Sequence, residues 1–86
     1  MAKLNYTVKD KNGIHARPAG LIVSYAKKYG EKLEMHFNGK TADCSKLFSI
    51  MLLGIKCGDE IEITAEGEHC TEALCELENV MKNAGL

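Results

Sequence analysis

Asn38-Gly39 constrains this chain more than any other pair of residues in it. Both residue types accept the left-handed backbone angles that a two-residue hairpin loop demands, and the pair separates two strand-like runs. Before it, Leu33, Met35 and Phe37 alternate with Lys32, Glu34 and His36; after it comes Lys40 to Asp43. Two antiparallel strands follow from that pattern. An antiparallel sheet with one apolar face needs a cover, so the rest of the chain is read for helices.

Leu4, Tyr6 and Val8 alternate with Asn5 and Thr7 and predict a half-buried first strand, followed by a polar loop from Lys9 to Gly13. From Ala19 to Tyr29 the apolar positions Ala19, Ile22, Val23 and Ala26 recur at helical spacing, and Gly30 ends the helix. A short apolar segment, Leu47 to Leu53, reads as a brief helix stopped by Gly54, with Ser45 available as its cap. Ile61, Ile63 and Ala65, alternating with Glu60, Glu62 and Thr64, predict a fourth strand. Ala73, Leu74, Leu77, Val80, Met81 and Ala84 keep to one side of a last helix, closed by Gly85. The order is β-α-β-β-α-β-α: an α+β fold with a four-stranded antiparallel sheet carrying three helices on one face.

At 86 residues the chain has room for a single core, so residues 1–86 are expected to form one domain. A formal net charge of −1 argues against a general nucleic-acid binder, which needs an excess of Lys and Arg against phosphates. Neither an apolar secretion segment nor a run of 18 apolar residues is present, so no membrane insertion and a cytoplasmic setting are expected. In that reducing setting Cys44, Cys57, Cys70 and Cys75 are expected to be free thiols. They form no C-x-x-C pair, and His69, Cys70 and Cys75 could ligate a metal only with help from elsewhere; neither metal nor cofactor is expected.

Chemistry concentrates in Gly13-Ile14-His15-Ala16-Arg17-Pro18, where a loop turns into a helix. A helix start offers unpaired N–H groups and the positive end of the backbone dipole, which suits an anion held near His15. Arg17 adds a permanently charged, planar partner for phosphate oxygens. Local rules place the helix start at Pro18, because a residue before proline is biased away from helical angles. His36 is expected to face solvent on the second strand, and His69 to sit near the start of the last helix.

These residues, with Asn38-Gly39-Lys40, Leu47-Phe48 and Leu53-Gly54 further on, resemble HPr, the histidine-containing phosphocarrier family of the bacterial sugar phosphotransferase system. The resemblance covers nearly the whole chain and needs no insertions. It implies an open-faced β-sandwich. It implies that His15 accepts a phosphoryl group at Nδ1 from Enzyme I and passes it to IIA components of sugar permeases, as a carrier rather than an enzyme. A histidine suits such a relay, since its unperturbed pKa of about 6.5 leaves neutral imidazole available near neutral pH. The family further implies a helix start at Ala16, with His15 as N-cap and the N–H groups of Ala16 and Arg17 facing the phosphate. Lys27 and the apolar pad of Leu47, Phe48 and Met51 become partner contacts by the same likeness.

One position departs from the pattern. Many family members carry a regulatory serine where this chain has Lys46, and lysine cannot be phosphorylated in its place. Ser45 and Ser49 flank the site, and nothing in the sequence marks either as a substitute. Two other readings compete with the carrier. A regulatory module would use the pad alone to bind a protein, although His15 and Arg17 would then be superfluous. A ferredoxin-like metal or RNA binder lacks both the cysteine spacing and the stacking aromatics.

Overall fold

A computed structural model describes residues Met1–Leu86. The chain runs β1 (Ala2–Thr7), α1 (Ala16–Tyr29), β2 (Leu33–Phe37), β3 (Lys40–Asp43), α2 (Leu47–Met51), β4 (Glu60–Ala65) and α3 (Cys70–Asn83). All four strands form one antiparallel sheet in the order β1-β4-β2-β3. The Asn38-Gly39 turn is where the pattern put it, with φ of 52° and 77°, the positive values that match the twist of a tight hairpin.

Register explains the two faces. Tyr6 stands opposite Ile61, Leu4 opposite Ile63, and Met35 opposite Ile63 from the other side, so one face of the sheet is apolar along β1, β4 and β2. On the other face Asn5 meets Glu62, and Glu62 meets His36. His36 is less open than its sequence suggests: it is half-buried, with Nδ1 3.0 Å from Thr41 Oγ1 and Nε2 2.9 Å from Thr64 Oγ1. The imidazole ties three strands together and has no vacant ring nitrogen for chemistry.

Helices α1 and α3 pack against each other over the apolar face, and α2 packs on α1 beside β3. Ile22, Leu33, Met35, Ile50, Ile63 and Leu77 are almost fully enclosed and belong to one continuous core. Burying one such side chain is worth roughly 1.5–3 kcal/mol. That exceeds the ~0.3–1 kcal/mol lost by placing a cation at a helix start, so Ile50 can hold α2 in place although Lys46 is its N-cap.

Some details differ from the sequence reading. β1 begins at Ala2 and ends at Thr7, because the ladder to β4 runs from Ala2–Ala65 to Thr7–Glu60. α2 stops at Met51, two residues early, and Leu52 and Leu53 form a turn before Gly54. Ser45 does not cap α2; its hydroxyl donates to Asp43 Oδ1 at 2.7 Å instead, and Lys46 makes no side-chain cap bond. All four cysteines are free, with Cys44 wholly buried. No helix is long and apolar enough to cross a membrane.

Candidate functional site

His15 is the N-cap of α1, with extended backbone angles of φ −99° and ψ −173°. The helix therefore starts at Ala16, two residues before the local rules would start it. Arg17 is helical despite preceding Pro18. Burial of Pro18 and Ala19 holds it there, and the first helical bond, from Ala19 N–H to the His15 carbonyl at 3.0 Å, closes around it. The consequence is an empty first turn. Ala16 and Arg17 present N–H groups that have no partner within the helix, and Pro18 has none to present.

The loop leading to His15 is fixed by main-chain contacts. Gly13 N–H donates to the Asp10 carbonyl at 2.8 Å, and Ile14 N–H to the Ile55 carbonyl at 3.2 Å. Gly13 has φ +66°, and a Cβ placed there would lie 2.3 Å from the Ile55 carbonyl oxygen. Only glycine fits so close an approach with that angle. The main-chain oxygen of Leu86 accepts from the N–H groups of both Lys9 and Asp10. The loop is thus clasped between the segment before β4 and the residues after α3.

Two contacts at the site escaped the sequence reading. Asp10 Oδ2 lies 3.2 Å from His15 Nε2, while Asp10 Oδ1 accepts from Asn12 N–H at 2.9 Å. The Asn12 N–H, then the His15 hydrogen bond, hold the Asp10 carboxyl below its ordinary value of 3.8, and the nearby Arg17 charge acts in the same direction. The second contact is Arg17 itself, whose guanidinium donates to the Ala84 carbonyl at 2.9 Å. Its charge stays at the site, but in this conformation one arm is anchored at the end of α3. Neither bond has a sequence signal: Asp10 is an ordinary polar loop residue, and Ala84 lies 67 residues from Arg17.

Helix α2, which packs on α1, and the turn after it carry exposed apolar side chains. Phe48 is 75% exposed and Leu52 79%, with Met51 and, on α1, Leu21 also open. Leu47 turns partly inward against the core. Leu52 and Leu21 were absent from the expected pad, which was carried over from the family likeness as Leu47, Phe48 and Met51 alone. Lys27 and Lys28 are exposed in the last turn of α1, about 18 Å along the helix from His15 at 1.5 Å per residue. No group of three or more His, Cys, Asp or Glu side chains is placed to hold a metal ion.

Comparison with known proteins gives this geometry a context. The family model described as "PTS HPr component phosphorylation site" matches residues 2–83. Among solved structures, the histidine-containing phosphocarrier protein of a Mycoplasma is 30% identical, with a TM-score of 0.94 over 99% of this chain and 97% of that one. The phosphocarrier protein HPr of Bacillus anthracis is 35% identical, with a TM-score of 0.83 over 92% and 94%. The catabolite-repression protein Crh of Bacillus subtilis is 29% identical, with a TM-score of 0.75 over 100% and 99%, and its structure is a dimer with a swapped domain. With the family match spanning nearly every residue and the same fold in each of these relatives, the chain belongs to the HPr family, the phosphocarrier components of the phosphotransferase system.

Proposed function

We propose that this protein carries a phosphoryl group on His15 Nδ1, accepting it from phosphorylated Enzyme I and delivering it to IIA components of sugar permeases. The observation that carries the reading is the vacant first turn of α1 beside a ring nitrogen with no protein partner. Nδ1 is the ring nitrogen nearer the backbone, so a phosphoryl group bonded to it lies close to the start of the helix. The Ala16 and Arg17 amides, the helix dipole and the Arg17 charge meet its oxygens there. Phosphoryl transfer asks for little else, since positioning and charge stabilisation supply most of its catalysis. The carrier works in the cytoplasm without cofactor or metal and engages proteins rather than nucleic acid or membrane.

Phe48, Met51 and Leu47, joined by Leu52, form the pad on which donor and acceptor dock in turn. Lys27 supplies an outlying contact for acidic partner surfaces. Incubation with Enzyme I and phosphoenolpyruvate should give an acid-labile phosphoimidazole signal by phosphorus NMR. H15A should take no phosphate while losing at most ~1 kcal/mol of stability, because the partly exposed ring makes a single side-chain pair and no cap bond. R17A should slow transfer more than it harms folding, as a single bond to a carbonyl is worth about 1 kcal/mol. Absence of the signal under conditions that label an authentic HPr removes the carrier reading.

A second reading is a regulatory protein-binding module, suggested by the likeness to Crh, the catabolite-repression protein. It predicts a pad that binds a partner protein in the unphosphorylated state and a His15 that never labels. The same phosphorus spectrum decides between the two.

A further inference from the structure

Of the groups around His15, Asp10 is the one that the carrier scheme leaves without a task. Its carboxylate is not a free surface charge. The side chain is only 14% exposed, against 36% for His15, and each oxygen has a partner: Asn12 N–H on Oδ1 and His15 Nε2 on Oδ2. Asp10 is itself pinned through its main chain, with its N–H on Leu86 and its carbonyl on Gly13 N–H. The carboxylate is therefore a fixed object against which the ring must align.

We infer that Asp10 is a positioning residue that locks His15 in the Nε2–H form and turns its Nδ1 lone pair toward the start of α1. An ionised carboxylate only accepts hydrogen bonds, so Nε2 must be the donor and carry the hydrogen. The lone pair is then left on Nδ1, the atom without a protein partner. Asp10 sits on the opposite side of the ring from the incoming phosphoryl group, and its charge is already engaged by Asn12 N–H and the neighbouring Arg17. It therefore aligns the nucleophile with little direct opposition to the dianion.

The inference rests on the phosphocarrier reading and extends it to both halves of the cycle. On loading, the Nδ1 lone pair forms a bond to phosphorus as the donor's bond to phosphorus breaks, and Nε2 keeps its hydrogen throughout. The phosphorylated ring then bears a positive charge that faces the Asp10 carboxylate. On unloading, the N–P bond breaks with its electron pair returning to Nδ1, and the ring departs as neutral imidazole. Loss of the Nε2 hydrogen from the loaded ring would make the leaving group an imidazolate, a far poorer one; the carboxylate holds that hydrogen in place.

Nitrogen-15 NMR of the unphosphorylated protein tests the geometry without any partner. In the wild type, Nδ1 should resonate as a pyridine-type nitrogen, and the Nε2–H proton should be visible and protected from exchange. D10A should lose the protected proton, and its turnover as a substrate of Enzyme I should fall about tenfold in kcat with KM little changed, the cost expected of a misaligned nucleophile. In D10N the carboxamide oxygen still accepts from Nε2–H, so the proton signal and part of the rate should return in a protein of the same shape. A D10A protein that keeps the protected proton, or a loss of rate that lies wholly in KM, overturns the assignment. Wild-type protein that takes no phosphate removes the carrier reading itself, whereas D10A protein that labels as fast as wild type removes only the role of Asp10.

Discussion

Asp43 organises the exit from β3 much as Asp10 organises the approach to His15. Its Oδ1 accepts from the N–H of Ser45 at 2.8 Å and from the Ser45 hydroxyl at 2.7 Å, and these bonds hold its carboxyl below the ordinary 3.8. A carboxylate depressed in the folded state stabilises the fold fully above its unfolded pKa, and that contribution fades as pH falls through the lower folded value. Stability should therefore drop from about pH 4 downward, and D43N should show a shallower drop in urea midpoints taken across that range. Identical acid limbs in the two proteins would show that Asp43 gains nothing from Ser45. Asp10 acts with the same sign. At this scale the sequence singled out His15 and Arg17 as candidates, because an imidazole and a guanidinium at a helix start suit an anion. It concealed Asp10 and Asp43, whose partners are set by how a loop folds back on itself.

Among the elements, those with a long period were the most legible. Fourteen-residue α1 and α3 and the β2–β3 hairpin follow directly from apolar spacing and Asn38-Gly39. The start of α1 did not, because the bias against a helical residue before Pro18 is a local effect, and burial of Pro18 and Ala19 outweighs it. Helix α2 was legible in kind but not in extent. The outward set came from the family likeness rather than from period, and it left out Leu52 while Leu47, expected outside, turns partly in. The exposure of Phe48 and Leu52 separates docking from folding. F48A and L52A should each change folding stability by no more than ~0.5 kcal/mol, as surface substitutions do. The same substitutions should weaken Enzyme I binding by about 1–3 kcal/mol, read by calorimetry, if these side chains are the anchors of the interface. A F48A protein that binds normally but melts early would place Phe48 in the core instead.

For the molecule as a whole, one sheet and one continuous core predict a single cooperative unit, and Cys44 reports on it. It lies at the end of β3 with no exposure, and burial pushes its thiol up to about 12. A thiol reagent should label the exposed Cys57 and Cys75 quickly, and Cys44 only through unfolding of the whole chain, slower by at least ~10³ for a domain of ordinary stability. Labelling of Cys44 at the pace of Cys75 would reveal that β3 opens on its own. The overall fold was legible because strand alternation and helical period agree on one packed face. The clasp of the site was not, since it joins residues near the two ends of the sequence. That clasp has a bearing on the order of folding: Arg17 is held by an oxygen 67 residues further along the chain, and Lys9 and Asp10 by the oxygen of Leu86. Until α3 has docked and brought those oxygens into place, the approach to His15 is a slack loop, so order at the start of α1 is among the last things folding delivers.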